Sequence, residues 1–178
     1  MTPYGRRALL EALVIVVGVL VAFWVLQAPV RNVEAAVAAW SANVLGGGTI
    51  DHSGTTILVI PSHGAAVSAE LLPSCSSLAA VLATVVVVAI GRRSSIRRRA
   101  AAFAVSAGVV VVGNMFRLVS SLVVGSYGGR FALVSFHDIV GGTFTFVYVL
   151  GSFIVGLGVL LDRDPRAIID TAEFSHGY

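Results

Sequence analysis

The chain has no lysine, one cysteine and few charges: 12% of its 178 residues are charged and 57% are hydrophobic. Soluble domains carry about 25% charged residues, so this scarcity excludes an ordinary water-soluble globule and points to a chain built for lipid. A single cysteine excludes an intrachain disulfide and any metal site made of several thiolates. Cys75 therefore reads either as a small buried apolar residue or as a reactive thiol. The net charge of +3 rests on twelve arginines. They fall in short clusters beside apolar runs, not on one basic face, which argues against nucleic-acid binding. His52 and His63 match no metal-ligand spacing, so neither a metal nor another cofactor is expected. Ser76 and Ser77 lack the G-x-S-x-G frame of a serine nucleophile. Glu11 and Glu70 have no second carboxylate at a useful spacing.

What the chain has instead is apolar length. A membrane crossing needs about 20 apolar residues. The stretches that approach this are residues 8–28, 74–91, 100–124 and 137–161. The second reaches its length only if the Pro73-Ser74-Cys75 turn is counted within it. Nine of the twelve arginines (Arg6, Arg7, Arg92, Arg93, Arg97, Arg98, Arg99, Arg163 and Arg166) then lie on one side. The positive-inside rule makes that side cytoplasmic, with both termini inside and the segments 29–73 and 125–137 outside. The first apolar run is longer than the h-region of a signal peptide and Pro29 follows Ala28, so it is expected to stay as an anchor. The tail 162–178 is polar and expected to fray in the cytoplasm.

The outer segment 29–73 carries Val33, Val37, Trp40 and Val44 at helical spacing, which predicts an amphipathic helix lying on the outer surface. Residues 49–60 are two β-prone runs around Ser53-Gly54, a predicted hairpin. The fold expected is a single all-α membrane domain over 1–178. It is a bundle of about four transmembrane helices with an outer amphipathic helix and a small β-hairpin.

Several polar residues are out of place in such a bundle. Asn114, Arg117 and Ser121 form one stripe on the third span. A mid-helix arginine costs about 2.5–3.5 kcal/mol on insertion scales and needs a partner, a wet cavity or a route to the headgroups. Asn114, one turn deeper on the same face, argues for a polar cavity. His137 opens the fourth span, where Ser135 and Asp138 resemble a capping box. An interfacial histidine without chemistry and a proton carrier both fit this place. Pro73 and Ser74 suit a helix entry, which would put Cys75 in the first turn, where the dipole and a nearby arginine lower a thiol pKa. Cys75, Arg117 and His137 thus fall at one membrane level on three helices.

Glu70-Leu-Leu-Pro-Ser-Cys75-Ser-Ser, then Asn114-Met-Phe-Arg117, then His137-Asp138 resemble the exosortase/archaeosortase family over roughly residues 45–145. These are multi-pass prokaryotic membrane proteins thought to act as cysteine transpeptidases or proteases. The resemblance implies Cys75 as nucleophile, with Arg117 and His137 as its catalytic partners. Asn114 and Asp138 would support them. The implied partners are secreted, membrane-tethered proteins that end in a sorting motif, a membrane span and a basic tail. Cleavage would occur at the outer face through a thioester on Cys75. Two features depart from the family: Ser77 stands where a glycine is usual, and many members have about eight spans. The rival reading is a non-catalytic membrane scaffold or assembly subunit in which Cys75 only packs.

Overall fold

The computed structural model describes residues 3–46, 48–61, 64–90 and 94–161. Arg92, Arg93, Arg163, Arg166, His63 and the tail 162–178 lie outside the described residues. The protein is mostly helical, with one small sheet. In chain order the elements are α1 (Pro3–Leu45), β1 (Gly48–Ser53), β2 (Thr56–Pro61), β3 (Val67–Glu70), a short 3-10 turn (Pro73–Cys75), α2 (Leu78–Ile90), α3 (Ile96–Ser135), a π-helical turn (Phe136–Val140) and α4 (Gly141–Leu161).

Among the described residues, two helical stretches are long and apolar enough to cross a membrane, Leu10–Leu45 and Ile96–Leu161. The apolar part of α2, Leu78–Ala89, is shorter. Two such stretches and one short helix do not by themselves establish the four spans expected. The second stretch is itself doubled. Gly129 has φ 66° and ψ −160°, a conformation essentially confined to glycine, and there the chain folds back on itself. The two arms pack antiparallel. Ser106 Oγ donates to the Ser152 carbonyl at 2.9 Å, Gly113 lies against Tyr148, Gly141 against Arg117, and Gly125 against Leu133. Small residues on these facing surfaces let the backbones approach, the usual solution for helices that meet in lipid.

The separate outer amphipathic helix does not exist. α1 runs unbroken for 43 residues with Pro29 inside it. The stripe of Val33, Val37, Trp40 and Val44 faces outward, each at least 43% exposed. The inward face is Ala35, Ala38, Ala39 and Ala42, all buried. The helical periodicity was real, but its bulky face points away from the protein and its small face packs. That inverted pattern suits a helix surrounded by lipid rather than one resting on a surface.

The hairpin forms where the sequence places it, with Ser53 opposite Thr56 and Ile50 opposite Val59. It is extended by β3 into a three-stranded antiparallel sheet in the order β1-β2-β3. Val67–Glu70 is too short to announce itself by alternation. Asn43 on α1 clasps β1, accepting from Ile50 N–H at 2.8 Å and donating to the Ile50 carbonyl. Losing both contacts would orphan two backbone groups at about 1–3 kcal/mol each. Ile50, Ile57 and Val59 turn inward onto the alanines of α1 and onto Leu118 and Leu122 of α3. This cluster is the core, and Cys75 belongs to it.

Candidate active site

Cys75 closes the 3-10 turn that joins the sheet to α2. Leu72 and Ser76 on either side are extended, and the turn is held by Cys75 N–H to Leu72 O at 2.9 Å and Ser76 N–H to Pro73 O at 3.3 Å. α2 starts only at Leu78, where Ser76 Oγ accepts the Leu78 N–H at 3.2 Å. The expectation that Cys75 occupies the first turn of the following helix is thus corrected. The proline starts a separate turn of its own, so the α2 dipole is not what acts on the thiol.

His137 does that instead. Cys75 Sγ lies 3.6 Å from His137 Nε2, and the same nitrogen is 2.9 Å from Arg117 Nη2. His137 Nδ1 is 3.0 Å from Asp138 Oδ1. A guanidinium only donates, so Nε2 accepts from Arg117 and the ring proton sits on Nδ1, directed at Asp138. The Cys75 thiol is held below its ordinary range, first by the hydrogen bond with His137; burial opposes this, and the charge of His137, once it is protonated, and that of Arg117 reinforce it. A lowered thiol pKa in a confined electropositive setting is the mark of a reactive cysteine rather than an inert one.

The histidine reaches this position through a local irregularity. Ser135 is helical and its side chain caps nothing, so the expected capping box is absent. The chain has already turned back at Gly129, six residues earlier, and no helix begins at 135. Residues 136–140 instead form a π-helical turn, a distortion often found at functional sites because it rotates one side chain out of helical register.

Arg117 is buried, at 8% exposure, and its Nε has no partner among the described residues. Its guanidinium is turned onto His137 inside the protein rather than out to its surface. Its neighbour is Gly141, where an added Cβ would stand 2.8 Å from Arg117 Nε. Asn114, at 1% exposure, donates to the Cys75 carbonyl at 3.0 Å. The polar stripe of α3 thus lies inside the protein, although Ser121 only bonds back to the Arg117 carbonyl. A cavity of about 260 Å³ opens beside Cys75 and His137, walled by Ile57, Ala69, Leu72, Leu118 and Leu133, with Glu70 and Asp138 at its edge. His52 is exposed on β1, and no cluster of three metal-ligating side chains occurs among the described residues.

Residues 2–155, most of the chain, match the family described as transmembrane exosortase. The chain belongs to the transmembrane exosortase family. No curated protein and no solved structure matches it. Family membership and the two apolar stretches make it a membrane protein, and the family's chemistry is that of cysteine peptidases and transpeptidases.

Sequence reasoning missed Glu34 and Tyr148. Glu34 is 6% exposed, and its Oε1 accepts from Ser77 N–H at 2.9 Å, Ser77 Oγ at 2.6 Å and Asn114 Nδ2 at 3.3 Å. The Tyr148 hydroxyl donates to Asn114 Oδ1 at 3.3 Å. Glu34 stands off the apolar stripe of its helix, on the alanine face. The signal that it is buried is the run of alanines around it.

Proposed function

We propose that this exosortase is a cysteine transpeptidase or protease that removes the C-terminal sorting signal of secreted, membrane-tethered proteins through a thioester on Cys75. The observation that carries the reading is one nitrogen, His137 Nε2, in contact with both the Cys75 sulfur and the Arg117 guanidinium.

That nitrogen has one lone pair and two donors facing it, the Arg117 N–H and the Cys75 S–H. When the thiol proton moves to Nε2, Arg117 can no longer donate there and is released toward negative charge. Cys75 as thiolate attacks the scissile carbonyl, and Arg117 stabilises the oxyanion. Imidazolium His137 protonates the leaving amine, the C–N bond breaks and a Cys75 thioester remains. An acceptor amine or water then attacks the thioester, His137 takes its proton, and the thiolate departs. Asp138 holds the imidazole tautomer, and Asn114 holds the Cys75 carbonyl. No metal or cofactor is needed in this scheme.

The sheet supports a docking route for the substrate. Leu71 N–H bonds to Thr55 O at 2.8 Å, so alternation along the antiparallel pair leaves the backbone groups of Ser68 and Glu70 directed away from β2. β3 is an edge strand ending at the cavity, and an extended substrate segment pairing with it would be led to Cys75. In this proposal both termini are cytoplasmic and the site faces outward. The substrate's own span lies in the bilayer beside the helices, its basic tail inside.

The test is Cys75→Ala in the full chain, co-expressed with a secreted protein that ends in a motif, a membrane span and a basic tail. Loss of processing is expected, together with a hydroxylamine-labile adduct on wild-type Cys75. Undiminished processing by Cys75→Ala would sink the enzyme reading in favour of a scaffold.

A further inference from the structure

The buried carboxylate of Glu34 lies outside the chemistry described above, yet it is tied to both sides of the nucleophile. We propose that Glu34 is a positioning residue for the Cys75 turn, acting through Ser77 and Asn114. The inference rests on the reading of Cys75 as nucleophile.

Three elements meet at this carboxylate. α1 supplies Glu34 from its alanine face. The link to α2 supplies Ser77, whose N–H and hydroxyl both donate to Glu34 Oε1. α3 supplies Asn114, whose amide donates both to Glu34 Oε1 and to the Cys75 carbonyl. The Asn114 amide is itself oriented from α4 by Tyr148. The backbone is therefore held at Cys75 and again two residues later, and Glu34 is common to both holds. A carboxylate taken out of water is costly unless it is hydrogen-bonded, and here all three of its bonds go to groups that fix one turn. Glu34 Oε2 has no partner among the described residues, so the side chain is committed to the turn through a single oxygen.

The arrangement also accounts for Ser77. A glycine there would supply only its N–H. The serine adds a hydroxyl, 2.6 Å from Glu34, and doubles the link between α1 and the nucleophile turn. Ser77 and Glu34 form one device, which replaces the looseness of a glycine with a side-chain tie.

Displacing the turn lengthens the contact between Cys75 and His137, so the readout is thiol ionisation rather than stability. The experiment compares alkylation of Cys75 by a neutral, membrane-impermeant reagent at pH 7 and at pH 9.5 in wild type, Glu34→Gln, Glu34→Ala and Ser77→Ala, all in the full chain. The ratio of the two rates separates ionisation from access. Glu34→Ala is expected to lower that ratio by about tenfold, the equivalent of one lost hydrogen bond. Glu34→Gln, which keeps the acceptor oxygen, stays within about threefold of wild type. Ser77→Ala removes one of the two serine bonds and falls between them, and it carries the test if Glu34→Ala does not fold. A wild-type ratio in both alanine variants, even with reduced thermal stability, overturns the proposal and leaves Glu34 a purely structural residue. If Cys75→Ala processes substrate normally while these ratios shift, the enzyme reading fails and the positioning role stands.

Discussion

Gly141→Ala tests the site with one methyl group. The new Cβ would stand 2.8 Å from Arg117 Nε, 3.4 Å from its Cγ and 3.5 Å from its Cδ. The first distance is too short for any real contact, so the guanidinium must retreat by roughly 0.6 Å to reach ordinary separation. The direction of that retreat matters. His137 Nε2 holds the other end of the same guanidinium, so a retreat of Arg117 from residue 141 is expected to strain that contact. The bond of 2.9 Å then stretches to the edge of hydrogen-bonding range. A bond to a charged group contributes about 1.5–3 kcal/mol, so turnover should fall about ten- to hundredfold. Fold stability should move little, because alanine gains about 1 kcal/mol over glycine in a helix while local crowding costs about 1–3 kcal/mol. The neighbouring glycine is the control: a Cβ at Gly142 meets nothing within 4 Å, so Gly142→Ala should keep full activity. The assay is the rate of processing of a co-expressed tethered substrate beside thermal unfolding in detergent. Equal activity in the two alanine variants would refute the placement of Arg117 in the chemistry.

Wild-type Cys75 should remain alkylable at a lower pH than a free thiol, since its pKa is lowered chiefly by His137. The reactive form is thus kept as pH falls below the ordinary thiol range, and His137→Ala should move the rate–pH profile upward; an unmoved profile would remove His137 from the site. Ser68→Pro deletes an N–H directed away from β2 and should abolish processing while the fold persists. Val67→Pro deletes one that pairs with β2 and should lower the melting temperature as well, so full processing by Ser68→Pro would eliminate docking on β3. Gly129→Ala forces a side chain into a glycine-only conformation and should destabilise by about 1–3 kcal/mol, which thermal unfolding can read.

Arg117 and Asn114 stood out in the sequence because lipid makes such side chains expensive. Arg117 and Asn114 could not be tolerated on the outside of a helix, and burial against α4 and the Cys75 turn is how the fold resolves that cost. The hairpin was legible because Ser53-Gly54 separates two β-prone runs. What could not be read was continuity. Pro29 looked like a boundary, since a proline inside a helix removes one hydrogen bond and crowds the preceding turn, yet α1 continues through it. His137-Asp138 looked like a helix start, yet Gly129 had already turned the chain. Local signals mark where a helix is allowed to end, and tertiary packing decides whether it does.

That distinction bears on how the site itself arises. With a helix start at His137, the histidine would be set by its own cap. With the turn at Gly129, its position follows from the antiparallel pairing of α3 with the returning arm. The same pairing that opposes Gly125 to Leu133 and Gly141 to Arg117 brings residue 137 opposite residue 121, one turn from Arg117. The π-helical turn then directs the ring at the sulfur. Cys75 arrives independently, on a short turn fixed between the sheet and α2 and held by α1 through Ser77. Cys75 and His137, the proposed nucleophile and proton carrier, are thus mounted on different structural units, and Asn114 is a side chain of α3 that touches the Cys75 backbone. Asn114→Ala should therefore damage registration more than Ser121→Ala, whose hydroxyl bonds only within its own helix. The check is substrate processing at matched thermal stability. Similar losses in the two variants would show that polarity of the stripe, not the contact with the Cys75 carbonyl, is what the site requires.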